Sequence, residues 1–177
     1  METSMHPDIE MRWKKLETSK QQFVSLLSNK QFQAHAQPLA GWSMAQVVEH
    51  LLASEGGTRG YMQKKSSGGW ETLEDASAEH YEKGRAIIER LQSDERYLAP
   101  DILPQPTNAI ALHKLLAQWD EQRQDLLKFI REIQPNHYHK LVFRQPAAGM
   151  LTVLHALEFM EAHLRHHMPQ AERLLNE

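Results

Sequence analysis

The chain has 177 residues, long enough for one domain whose core needs no disulfide or metal staple. Its 23 acidic and 20 basic residues leave a formal net charge of -3, and the cations are scattered rather than gathered into a stripe, so nucleic acid is not expected as a partner. There is no cysteine, which removes disulfides and thiolate metal ligands, whereas the 11 histidines are the anomaly of the composition.

Met1 to Trp13 is polar and carries Asp8 and Glu10, without the apolar core of a secretory signal. No apolar run approaches the roughly 18 residues of a membrane span. A cytoplasmic protein without a membrane partner is the expectation.

Between Asp8 and Leu27 the apolar residues Ile9, Trp13, Leu16, Phe23, Leu26 and Leu27 recur at helical spacing, which predicts a first amphipathic helix. Asn29 to Gly41 contains Pro38 and no clean period and reads as a connection. Ser43 and Gln46 form an S-x-x-Q capping box, so a second helix starts there, with Val47, Val48, Leu51 and Leu52 on its buried face. Gly56, Gly57 and Gly60 weaken that helix by about 1 kcal/mol each relative to alanine, yet Tyr61 and Met62 carry it on to a break at Ser66 to Gly69.

Helical spacing resumes from Glu74 to Gln92 through Tyr81, Ala86, Ile87, Ile88 and Leu91, and the prolines between Ser93 and Pro106 predict a loop. Thr107 is the predicted N-cap of a long helix to Ile133, whose stripe includes Leu112, Leu115, Trp119, Leu126 and Ile130. Gln134 to Gly149 reads as a connection, and a last helix runs from Thr152 to the C-terminus. Val142 and Phe143 are β-prone but isolated, so no strand is expected. The elements together predict an all-α protein, a single helix-bundle domain over residues 1–177 with long connecting loops.

Bundles of this kind build metal sites from side chains on facing helices. On the last helix, His163 and His167 are four residues apart, about 40 degrees around the axis, so both imidazoles can reach one ion. About 0.7 such pairs are expected by chance in this composition, so the pair alone does not make a site. His50 sits among apolar residues of the second helix, where it is either a core histidine bonded to a carbonyl or hydroxyl, or a third ligand across the bundle.

Gly41-Trp42-Ser43, followed by Gln46, His50 and Leu51, resembles the second-helix motif of the DinB-like superfamily, which includes bacillithiol S-transferases. His163-x-x-x-His167-x-x-Gln170, preceded by Pro146, Gly149, Leu151 and Thr152, is similar to the last-helix motif of that family, and the match spans Ile9 to Leu174. The resemblance implies an antiparallel, up-down four-helix bundle, frequently a homodimer. It also implies one divalent transition metal, zinc or nickel, on His50, His163 and His167.

Trp42 either walls a substrate pocket or serves as a hydrophobic staple before the N-cap, the latter being the commoner role. Ser54 is a candidate to contact a ligand, Glu55 a candidate acceptor that orients an imidazole, and Gln170 a candidate to orient the site. His166 points away from His167 and is left out of the ligand set, His155 reads as packing, and His137 and His139 read as loop surface. His6, His35, His80 and His113 have no partner that the sequence names.

Three neutral histidines leave a divalent ion its full charge and an open position. Either a low-molecular-weight thiol is bound there and transferred to a small electrophile, as the resemblance implies, or a metal hydroxide hydrolyses an amide or ester. A non-catalytic, metal-stabilised binding or stress-response module is the third reading. No Asp or Glu is placed as a general base, which favours thiol transfer over hydrolysis, and no residue is assigned as catalytic.

Overall fold

The computed structural model describes residues 5–28, 33–93 and 103–176. Five helices dominate it: α1 (Pro7–Leu27), α2 (Met44–Ser66), α3 (Ala78–Gln92), α4 (Leu112–Glu132) and α5 (Val153–Leu174). Two three-residue strands, β1 (Phe143–Gln145) and β2 (Gly149–Leu151), pair antiparallel between α4 and α5. The chain is thus mostly helical, with one small hairpin that the sequence reading did not expect.

The helix starts follow local chemistry. His6 caps α1 by accepting from the Asp8 N–H, with Pro7 in the first turn, where a missing N–H costs nothing. Both bonds of the capping box at Ser43 form, Gln46 N–H to Ser43 Oγ at 3.2 Å and Ser43 N–H to Gln46 Oε1 at 2.9 Å. α2 then runs unbroken through its three glycines. At Gly56 a Cβ would come within 3.1 Å of Gln122 Oε1, so the missing side chain leaves room for the Gln122 amide reaching over from α4.

Two helix starts differ from expectation, each for a tertiary reason. Residues 74–76 are extended rather than helical, because Leu141 N–H donates to Glu74 O and Ala76 N–H to His139 O, both at 2.8 Å. Those bonds flank a bridge between Asp75 and Lys140, and α3 starts only after Ser77. Thr107 is not the cap of α4. Its N–H and hydroxyl both donate to the Glu49 carboxylate, at 2.9 to 3.0 Å, and Asn108 follows in the left-handed region at φ 61. The helix begins at Leu112, after Ala111.

The hairpin was missed because three-residue strands carry too little alternation to read. Phe143 pairs with Leu151 and Gln145 with Gly149, and the Gln145 side-chain oxygen accepts from Ala147 N–H and Ala148 N–H in the turn. Gly149, at φ 81, closes the turn in a conformation that other residues adopt only with strain.

α5 packs against α1, α2 and α3, and α2 packs in addition against α4. Two apolar clusters result, one around Leu16, Leu126, Ile130, Leu157 and Met160 and the other around Phe23, Val47, Leu51, Trp119 and Leu164. Each fully buried aliphatic or aromatic side chain contributes about 1.5–3 kcal/mol, so these clusters carry the fold without a metal. No helix among the described residues is long and apolar enough to cross a membrane.

Candidate metal centre

The α2–α5 contact places His50 opposite His163 and His167. His50 lies in the second turn of α2, whose start the Ser43–Gln46 box holds in place. α5 starts from a second box, in which Thr152 Oγ1 accepts from His155 N–H and the His155 ring faces the Thr152 N–H. Both ligand helices are therefore fixed at their N-termini, and the spacing of four along α5 brings His163 and His167 onto successive turns.

The three imidazoles converge. His50 Nε2 lies 3.1 Å and His167 Nε2 3.2 Å from His163 Nε2, and one ring nitrogen of each histidine lies within 4.8 Å of the others. Hydrogen bonding alone satisfies this arrangement poorly. A ring nitrogen has one lone pair or one proton, so His163 Nε2 makes one full bond to a neighbour or divides a single N–H weakly between the two.

His167 adds to the mismatch. Its Nδ1 donates to Gln170 Oε1 at 2.8 Å, which leaves its Nε2 as a bare lone pair aimed at the cluster. Three neutral nitrogen donors at such spacing suit a cation. Ligands about 2.0–2.1 Å from zinc in a tetrahedron stand roughly 3.3 Å apart, close to the two short separations here.

The electrostatics agree with neutral donors. Burial pushes the His50 pKa down to about 4 and that of His163 well below its ordinary value. Burial also lowers His167 to about 4, against the opposing effect of its bond to Gln170. Near neutral pH all three rings are therefore uncharged, each with one nitrogen lone pair to offer.

The cluster opens onto a cleft of about 1860 Å³, which Trp42, Ser54, Tyr61, Phe143, Phe159 and Gln170 help to line. Trp42 is half-buried against the apolar cluster around Leu51, and its ring lies 4.9 Å from that of His50, tilted by 46°. It therefore packs on the core and walls the cleft at once. Ser54 sits one turn beyond His50 on the same wall.

Glu55 does not orient an imidazole. Both of its oxygens are used elsewhere, accepting from Arg123 Nη2 and Nε at 2.7 and 2.8 Å and from Trp119 Nε1 at 2.8 Å. Arg123 in turn donates to Glu17, so this buried network ties α2 to α4 and α1. The sequence offered no sign of it, because Arg123 lies 68 residues from Glu55.

The other histidines sort by their partners. His166 Nδ1 donates to the Leu91 carbonyl at 2.9 Å, outside the cluster. His155 is buried and serves the Thr152 cap. His137, expected at the surface, is buried instead, stacked on Trp70 with ring centroids 5.5 Å apart and bonded to Glu71 at 2.7 Å. His139 is exposed and bonds to the Tyr81 hydroxyl. His6, His35 and His80 do have partners, in Asp8 N–H, Asn108 and Ser77, while His113 is exposed.

Sequence reasoning also passed over Phe159, which stacks on His163 with centroids 5.8 Å apart and planes at 21°. Its place on the apolar stripe of α5, one turn before His163, was the available signal.

The family model of the DinB superfamily matches residues 12–171, and the chain belongs to that superfamily. No curated protein and no solved structure matches it. Family and geometry together define a DinB-like protein whose three-histidine cluster could hold one metal ion.

Proposed function

We propose that the protein is a metal-dependent transferase that joins a low-molecular-weight thiol to a small electrophile. The observation that carries the reading is the convergence of three neutral imidazole nitrogens at the wall of a large cleft. A divalent ion held there, zinc or nickel, supplies Lewis acidity and favours the thiolate form of a bound thiol. The chain has no cysteine of its own, so the reacting sulfur has to arrive with a ligand.

His50, His163 and His167 bind the ion in this reading, and Gln170 holds His167 in the tautomer that leaves Nε2 free. Trp42 and Phe159 flank the cluster with aromatic surface and limit the access of water to it.

Hydrolysis is the less favoured chemistry, because hydrolases usually place a free base beside the water. The carboxylates on the cleft wall are engaged, Glu10 with Lys14 and Glu161 with Ser19 and Arg165. The test pairs elemental analysis of protein purified without an affinity tag with thiol consumption against a panel of electrophiles. About one equivalent of divalent transition metal and thiol loss that requires it are expected. Metal without thiol-dependent turnover would leave a metal-stabilised module instead.

A further inference from the structure

α2 faces the cleft with His50, Ser54, Gly57, Thr58 and Tyr61, a spacing that places them along one side of the helix. Glycine in the middle of a helix is a weakening choice, and the three glycines of α2 differ in what they return for it. Gly56 is explained by the approach of Gln122. A Cβ on Gly57 or Gly60 would meet nothing within 4 Å, and neither glycine has a positive φ. Of these two, Gly57 lines the cleft and Gly60 does not. Gly57 is exposed, and what it leaves free is open space at the wall of the cleft, about one helical turn past Ser54.

Part of the cleft lining is aromatic. Phe159 stacks on His163 and packs against Phe143 with centroids 5.6 Å apart, and both rings line the same cleft. α2 packs on β1, and beyond Gly57 the Tyr61 hydroxyl donates to Met150 Sδ at 3.7 Å, tying α2 to β2. Thr58 turns its hydroxyl back onto the Ser54 carbonyl, so it presents little polarity to a ligand.

We propose that Gly57 keeps open an arm of the cleft that takes the second substrate, a flat apolar electrophile, and sets the size limit for it. The inference rests on the transferase reading for the identity of its occupant, while the arm itself can be probed without turnover.

The experiment uses the full metal-loaded chain with Gly57→Phe and, as a control, Gly60→Phe. Binding of anilinonaphthalene sulfonate, a flat aromatic probe, is followed by fluorescence, and kcat/KM is measured with electrophiles of graded size. Gly57→Phe should weaken probe binding by about tenfold or more and lower kcat/KM for the bulkiest electrophile at least tenfold more than for the smallest. Metal content should persist, as should the sulfur-to-metal charge-transfer absorption that an added small thiol gives when Co(II) is loaded into the site, and Gly60→Phe should change none of these.

Wild-type probe affinity in Gly57→Phe, equal losses in the two variants, or equal losses for small and large electrophiles would each overturn the proposal. Should Gly57→Phe fail to fold, Gly57→Leu serves in the same comparison. Absence of thiol turnover in the wild-type chain would sink the transferase reading, and the probe measurement would still decide whether the arm exists.

Discussion

Nδ1 of His167 lies 2.8 Å from Oε1 of Gln170, so this one hydrogen bond decides which nitrogen of His167 faces the cluster. Removing it in Gln170→Ala lets the ring change tautomer and rotate. Metal affinity should fall by about 10- to 100-fold, the usual effect of losing a partner that orients a ligand. Competition against a chromophoric chelator measures it, and an unchanged affinity would show that packing alone orients the ring.

Replacing the ligands themselves should have a larger effect. His50→Ala, His163→Ala and His167→Ala should each abolish stoichiometric binding, whereas His166→Ala, whose ring bonds to the Leu91 carbonyl, should keep it. All four variants should retain helical circular dichroism, because the two apolar clusters do not depend on the ion. Loss of metal in His166→Ala together with retention in His163→Ala would reassign the ligand set.

Acid should act on the metal-free protein with a definite sign. Unfolded imidazoles take a proton near 6.5, whereas burial holds folded His50 and His167 near 4. Between those values the unfolded state binds more protons, so stability falls as the pH drops through that window and is unaffected by these residues above it. The slope should be on the order of 1 kcal/mol per pH unit for each histidine, read from denaturant titrations at several pH values. His50→Phe should flatten it in part, and an equal slope in that variant would trace the acid sensitivity to other groups.

The Glu55–Arg123 pair is buried on both sides, with 4% and 1% exposure. Arg123→Met leaves the Glu55 carboxylate without its main partner and should destabilise the protein by about 3–5 kcal/mol. The double variant Arg123→Met, Glu55→Met should recover part of that loss, because the buried Glu55 charge is then gone, while the half-buried Glu17 still lacks its partner. Guanidinium melts of both, with metal content as a control, separate this structural effect from any effect on the centre.

Gly84→Ala would ordinarily favour a helix, but here a Cβ would come 2.3 Å from His155 Cδ2 and 2.6 Å from Nε2. His155 would have to move and release its bond to Thr152 at the start of α5. A net loss of about 1–3 kcal/mol is expected despite the propensity gain, visible as a lower melting temperature. A higher melting temperature would mean that His155 relocates without strain.

Much of this protein is legible in its sequence because the deciding interactions are local. The apolar spacing of Ile9, Leu16 and Phe23 predicts α1, and the pair Ser43 and Gln46 predicts the start of α2 to the residue, since each bond of the box spans three positions. The relation of His163 to His167 follows from helix geometry alone, and the two motifs around His50 and His167 identify the superfamily.

The convergence of His50 on that pair needed the tertiary structure, because 113 residues separate it from His163 and only the packing of α2 on α5 closes the distance. The same holds where the reading failed. Thr107 looks like a cap until Glu49 is beside it, Glu55 looks free to serve a ligand until Arg123 and Trp119 take both its oxygens, and His137 looks exposed until Trp70 covers it. For Glu55 and His137 the distant partner wins because a buried donor or acceptor left unpaired costs more than a surface bond contributes, whereas Thr107 stays exposed and is held by its bonds to the Glu49 carboxylate.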